Sequence, residues 1–192
     1  MKCSVWLLIV TLPLLGAACK SSSTDNPDLL RPATIKDIMD SMVDPSGQFV
    51  FESIQEIADE HGIREKAPET AEQWQEVRKR LVVLLEAPNL LTMDGRRVAR
   101  PGEKSSNPQV ENEPEAIQKL LDADRPSFMR RARRLQDAAA LAIEAVDAKN
   151  KDALFKAIDG IDKACETCHL HYWYPNDLRA REAAKEEGIT DY

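Results

Sequence analysis

Phe128, Ala132, Leu135, Ala139, Ala142 and Val146 follow one another in alternating steps of four and three. Steps of that kind keep a single apolar stripe along one side of a helix, the seam of a bundle. Only Ala148-Lys149-Asn150-Lys151 separates this stripe from a second one, formed by Leu154, Ala157, Ile158, Ile161, Cys165, Cys168 and His169. So short a connection forces the second helix to fold back antiparallel beside the first. Pro175 stops it.

Two more segments with helical spacing lie upstream. One opens near Thr34, an N-cap with Asp37 three residues on, and carries Ile35, Ile38, Met39, Met42 and Val43 on one stripe. Pro45 and Gly47 interrupt it, as either a kink or a turn, and Phe49, Ile54, Ile57 and Ala58 resume it as far as His61-Gly62. The other opens with the capping box Thr70 and Gln73, runs through Trp74, Val77, Leu81 and Leu84, and is expected to end at Pro88 and Asn89. Residues 89–113 form an irregular stretch rich in Gly, Pro, Ser and Asn, followed by a short helix from Pro114 to Leu121. The chain therefore reads as all-α, an antiparallel four-helix bundle over residues 34–175, with a charged tail at 176–192 that forms an exposed helix ending at Gly188. Composition agrees: there are only 7 glycines and little β-branched alternation, and a hydrophobic content of 43% is enough for a core. A net charge of −7 excludes a nucleic-acid partner in the ordinary mode, which needs a basic face.

Residues 1–18 read as a leader rather than structure. Lys2 supplies the positive start, and the apolar run Val5 to Leu15 is short for a bilayer span. Leu15-Gly16-Ala17-Ala18-Cys19 resembles the lipobox of bacterial lipoproteins, which implies lipidation of Cys19 as the mature N-terminus. Gly16 and Ala18 also suit an ordinary signal peptidase, so export is expected by either route. Residues 19–33 are polar and aperiodic and form a flexible tether. Of the 4 cysteines, Cys3 leaves with the leader and two share one motif, which leaves Cys19 alone. A lipid thioether would remove an unpaired thiol from an oxidising compartment.

The chemistry sits in Cys165-Glu166-Thr167-Cys168-His169. Two thiols three residues apart on one helical turn can reach the two vinyl groups on a porphyrin edge. The adjacent imidazole then projects under the ring towards iron. One covalent haem c is therefore expected, with Cys165 and Cys168 as anchors and His169 as the proximal iron ligand. Attachment of this kind takes place outside the bacterial cytoplasm, where the leader sends the chain. A structural zinc site would need four ligands, with only His61 and His171 left as nitrogen donors. A redox dithiol would want a βαβ setting, which the helical pattern lacks.

A haem motif at the end of the last helix of a four-helix bundle resembles the cytochrome c prime group, the class II c-type cytochromes. The resemblance spans about residues 34–175. It includes Tyr172 three residues after the ligand histidine, the segment Met39 to Pro45, and Asn89-Leu90-Leu91-Thr92-Met93 with Arg96. Trp173 stands where the family often has Arg, and the 89–113 connection is long. The resemblance implies that a residue of the first helix faces the distal side of the haem. Met there makes a six-coordinate electron carrier, whereas Leu or Phe leaves a five-coordinate haem that binds NO or CO. Matching helix one to the family pattern puts Met39 at that position, with Met42 and Met93 as alternatives and core filling as the plain role of any of them.

The resulting expectation is an exported, lipid-tethered monohaem cytochrome of the periplasm, carrying single electrons between redox proteins. A gas-binding haem protein is the alternative. No enzyme chemistry is expected, since helix one offers a peroxidase only Lys36 and Asp37 as distal acid–base groups. Family members often dimerise through the first two helices, which apolar spacing alone does not show here. Arg130, Arg131, Arg133 and Arg134 form a solvated face or supply a haem-propionate partner. Tyr172, Trp173 and Tyr174 close the bundle end against the porphyrin edge, and His61 serves as a helix-end charge partner.

Overall fold

Thr34 and Thr70 each open a helix as their spacing predicts. The computed structural model describes residues 30–60, 62–190 and 192. The leader, Cys19, most of the tether and His61 lie outside the described residues. Thr34 Oγ1 accepts from the Asp37 amide at 3.1 Å, and the Asp37 carboxylate accepts from the Thr34 amide at 3.0 Å. Thr70 and Gln73 make the same exchange at 3.2 and 3.0 Å. Each box satisfies donors that a helix start leaves bare. Thr70 is exposed, so Thr70→Ala removes the cap and little packing. The expected loss is about 1 kcal/mol, seen as a lower urea midpoint at unchanged slope.

The first segment is continuous. Helix α1 (Ile35–Ile38) passes through a π-helical turn (Met39–Val43) into α2 (Asp44–Ser53). Pro45 falls in the first turn of α2, and the wider turn before it carries the bond from the Asp44 amide to the Met39 carbonyl. The interruption at Pro45 and Gly47 is thus a local widening, not a turn between two helices. The expected helix does not resume to His61-Gly62. Ile54 is extended (φ −143°, ψ 122°), and strands β1 (Gln55–Asp59) and β2 (Gly62–Lys66) pair antiparallel. Ile57 and Ala58 are too few to hold a helical face. Gly62 starts β2 at φ +114°, a backbone conformation that glycine adopts without strain.

Helix α3 (Ala71–Leu91) runs past its expected end at Pro88. The missing proline N–H frees only one carbonyl of the previous turn, while Pro88 and Leu91 continue the buried face begun by Trp74, Val77, Leu81 and Leu84. Thr92 closes the helix: its amide and hydroxyl both donate to the Pro88 carbonyl, at 3.0 and 2.8 Å. Helices α4 (Pro114–Ala123), α5 (Arg125–Asp147) and α6 (Lys151–Tyr172) follow, with the α5–α6 turn where the sequence puts it.

The described chain is mostly helical, with one two-stranded sheet. Helix α5 lies between α3 and α6, and α2 packs on α3 and more lightly on α6. Val50, Val77, Leu81, Leu84, Leu154 and Ile161 are fully buried where these helices meet. The tail forms α7 (Leu178–Glu186), and it docks rather than standing free. Ala184 and Ile189 are buried against Leu170, with Tyr174 and Tyr192 at the edge of that small cluster. No helix among the described residues is long and apolar enough to cross a membrane.

Candidate functional site

The last turns of α6 bring Cys165, Cys168 and His169 to one side, since residues three and four apart are helical neighbours. Cys168 and His169 line a cleft whose other walls include Met39 in the π-helical turn, Leu91 at the end of α3, Phe128 on α5 and the strap of residues 104–112. The cleft has a volume of about 130 Å³ and opens to solvent. Asn112 ties the strap to the end of α6: its amide donates to the Trp173 carbonyl at 2.6 Å and its side chain to the Tyr172 carbonyl at 2.9 Å.

Cys165 does not line the cleft. It sits one turn back, partly buried against the core, with the carboxylates of Asp162, Glu166 and Asp44 nearby. Burial pushes its thiol up to about 12, helped by Cys168 and those carboxylates. Burial likewise pushes the Cys168 thiol up to about 11. Both are free thiols held protonated at neutral pH. A redox dithiol needs the opposite, a thiol pKa lowered towards neutrality. Among the described residues no group of three or more His, Cys, Asp or Glu converges as a metal cage, so the pair has no zinc-site partners there.

His169 is crowded by protein, and desolvation pulls its imidazole down to about 4. It is neutral at pH 7, with a lone pair to offer. Its hydrogen-bonding neighbour is the Tyr174 hydroxyl, 3.4 Å from Nδ1, and Nε2 has no hydrogen-bond partner among the described residues. Trp173 and Tyr174 pack edge-on to the ring at centroid distances of 5.3 and 5.7 Å.

The methionines separate. Met39 lines the cleft, whereas Met42 packs on the core beside it and Met93 lies elsewhere. Met93 Sδ accepts from Arg96 at 3.0 Å. Arg96 is buried and also donates to the Leu90 and Ala33 carbonyls, so it clamps the end of α3 to the start of α1.

None of the five arginines of α5 lines the cleft; its cationic groups are Lys36 and Lys104. Arg130 is exposed and Arg133 pairs with Asp137 at 3.0 Å, as a solvated face requires. Arg131 instead donates to the Thr167 carbonyl at 3.1 Å and approaches His171 Nδ1 at 3.3 Å, bonding α5 to α6. Tyr172 and Trp173 line the cleft, with Tyr172 edge-on to Phe128 at 5.8 Å. Among the described residues the Tyr172 hydroxyl is buried without a hydrogen-bond partner. Tyr174 turns the other way and donates to Glu166 at 2.8 Å. No sequence pattern points to the Tyr174–Glu166 bond or the Asn112 strap. The strap joins residues 60 apart in the chain, a separation that no local pattern encodes.

No protein-family model, curated protein or solved structure matches this chain.

Proposed function

We propose that the chain is an exported monohaem c-type cytochrome of the class II kind, a single-electron carrier rather than an enzyme. In this reading α1–α2, α3, α5 and α6 are the four members of a bundle around the haem end of α6. The observation that carries it is that Cys168, His169 and Met39, brought from distant parts of the chain, line one largely apolar cleft.

The residues present fit the group. Neutral His169 has no partner on Nε2 among the described residues and can donate it to iron, Met39 offers a soft thioether from another wall, and the thiols of Cys168 in the cleft and Cys165 one turn back would be the anchors. When bound, haem c would supply a one-electron ferric–ferrous couple whose potential a thioether ligand raises. Leu91, Val98 and Phe128 keep water from the inner part of the cleft. Lys36 and Lys104 at its walls favour anionic substituents there. The leader and Cys19 lipidation belong to the same proposal, with periplasmic redox proteins as partners and the membrane touched only through the lipid.

The test is the spectrum of protein produced by export in a host that attaches haem c. The oxidised form should show the long-wavelength methionine-to-iron charge-transfer band, and Met39→Leu should abolish it while haem staying power on a denaturing gel is unchanged. A high-spin ferrous protein that takes up CO at once would overturn the carrier reading in favour of a gas-binding haem. A band that survives Met39→Leu would move the ligand to Met42 or Met93.

A further inference from the structure

Tyr174 occupies a place that the cleft does not explain. Its hydroxyl donates to Glu166 Oε2 at 2.8 Å and lies 3.4 Å from His169 Nδ1. An imidazole that offers Nε2 to a metal carries its proton on Nδ1. The only consistent assignment of donors is therefore a chain: His169 Nδ1–H donates to the Tyr174 oxygen, and the Tyr174 hydroxyl donates to Glu166. We propose that Tyr174 and Glu166 are positioning residues for His169, fixing its ring orientation and its electron donation through Nε2. This rests on the haem reading above.

Two further observations support it. The Tyr174 ring is held from behind by α7, where Ala184 and Ile189 pack on Leu170 with Tyr174 at the edge. The amides of Trp173 and Tyr174 both donate to the His169 carbonyl, at 2.7 and 3.0 Å, which sets the ring one tight turn after the histidine. The acceptor is also electron-rich. Asp162, Glu187 and Asp177 lie close enough to add their charges to that of Glu166. Partners of this type orient a ligating imidazole and raise its basicity. A more basic ligand favours ferric iron, so the chain of bonds lowers the midpoint potential of the site.

The experiment is a spectroelectrochemical titration of the exported haem protein and three variants. Tyr174→Phe keeps the ring and removes the hydroxyl, so its midpoint should rise while the methionine band is retained. Glu166→Gln should raise it as well. Asp162→Asn, which removes a carboxylate one turn away without breaking the chain, should raise it less. The Tyr174→Phe/Glu166→Gln double variant should fall short of the sum of the single shifts, because both act through the same bond. An unshifted midpoint in Tyr174→Phe, with haem still covalently bound, would overturn the proposal and leave the haem reading intact. Equal shifts in Glu166→Gln and Asp162→Asn would overturn it too, since charge alone would then account for both. Wild-type protein lacking covalent haem on a gel would instead sink the haem reading, and this inference with it.

Discussion

Replacing Cys165 and Cys168 together by alanine is expected to strip the exported chain of all haem that survives a denaturing gel. Both thiols are free, protonated and partly buried beside His169, and no other cysteine lies among the described residues. With both gone, His169 and Met39 could still meet a dissociable porphyrin, but nothing would hold it once the fold is lost. The single variants should differ from the double. Either Cys165→Ala or Cys168→Ala leaves one thioether, and so a weaker but positive haem stain. A bound cofactor stabilises the folded state by mass action, so the double variant should also melt earlier than wild type. Unchanged staining of the double variant would refute covalent attachment at this motif.

Leu154→Ala is expected to cost about 2–5 kcal/mol, the range for a large-to-small change in a packed core. Leu154 has 0% exposure where α5 and α6 begin to pack, so its removal leaves a cavity with no solvent to fill it. It lies 15 residues before His169 on α6, roughly 22 Å along the axis at 1.5 Å per residue. The haem spectrum should therefore be untouched while the urea midpoint falls steeply. Leu141 on α5 is 59% exposed, and Leu141→Ala should stay within about 0.5 kcal/mol of wild type. Equal stability of the two variants would refute the burial of Leu154 between α5 and α6.

Where the sequence predicts the structure well, a strong periodic face coincides with an explicit stop or start. The alternating steps of α5, the four-residue turn and the stripe of α6 are all local, and the threonine caps of α1 and α3 need only an acceptor three residues on. The Cys-x-x-Cys-His spacing has the same local character, and Cys168 and His169 fall together on one wall of the cleft. Prediction fails where tertiary packing overrides a local rule. Pro88 looks like a helix end until its burial and that of Leu91 are known. The hairpin is built from Gln55–Asp59 and Gly62–Lys66, segments so charged that neither shows strand-like alternation, and it even sets Glu56 opposite Glu65. The Tyr174–Glu166 bond and the Asn112 strap depend on where α7 and residues 89–113 return, which no spacing rule states. Met39 is an intermediate case: the resemblance favours it over Met42 and Met93, and of the three only Met39 lines the cleft.

The π-helical turn at Met39–Val43 has a consequence for how the first segment aims its side chains. One extra residue in a turn puts the helix before it out of phase with the helix after it by roughly 100°, the rotation of a single α-helical residue. Ile35 and Met39 can therefore face the cleft while Val50, further along, faces α3. An unbroken α-helix of the same residues would have to align both sets on one bearing and sacrifice either the core or the cleft. Deleting one residue from this turn would do more than shorten the segment. It would swing Met39, the first residue of that turn, and everything upstream of it away from His169.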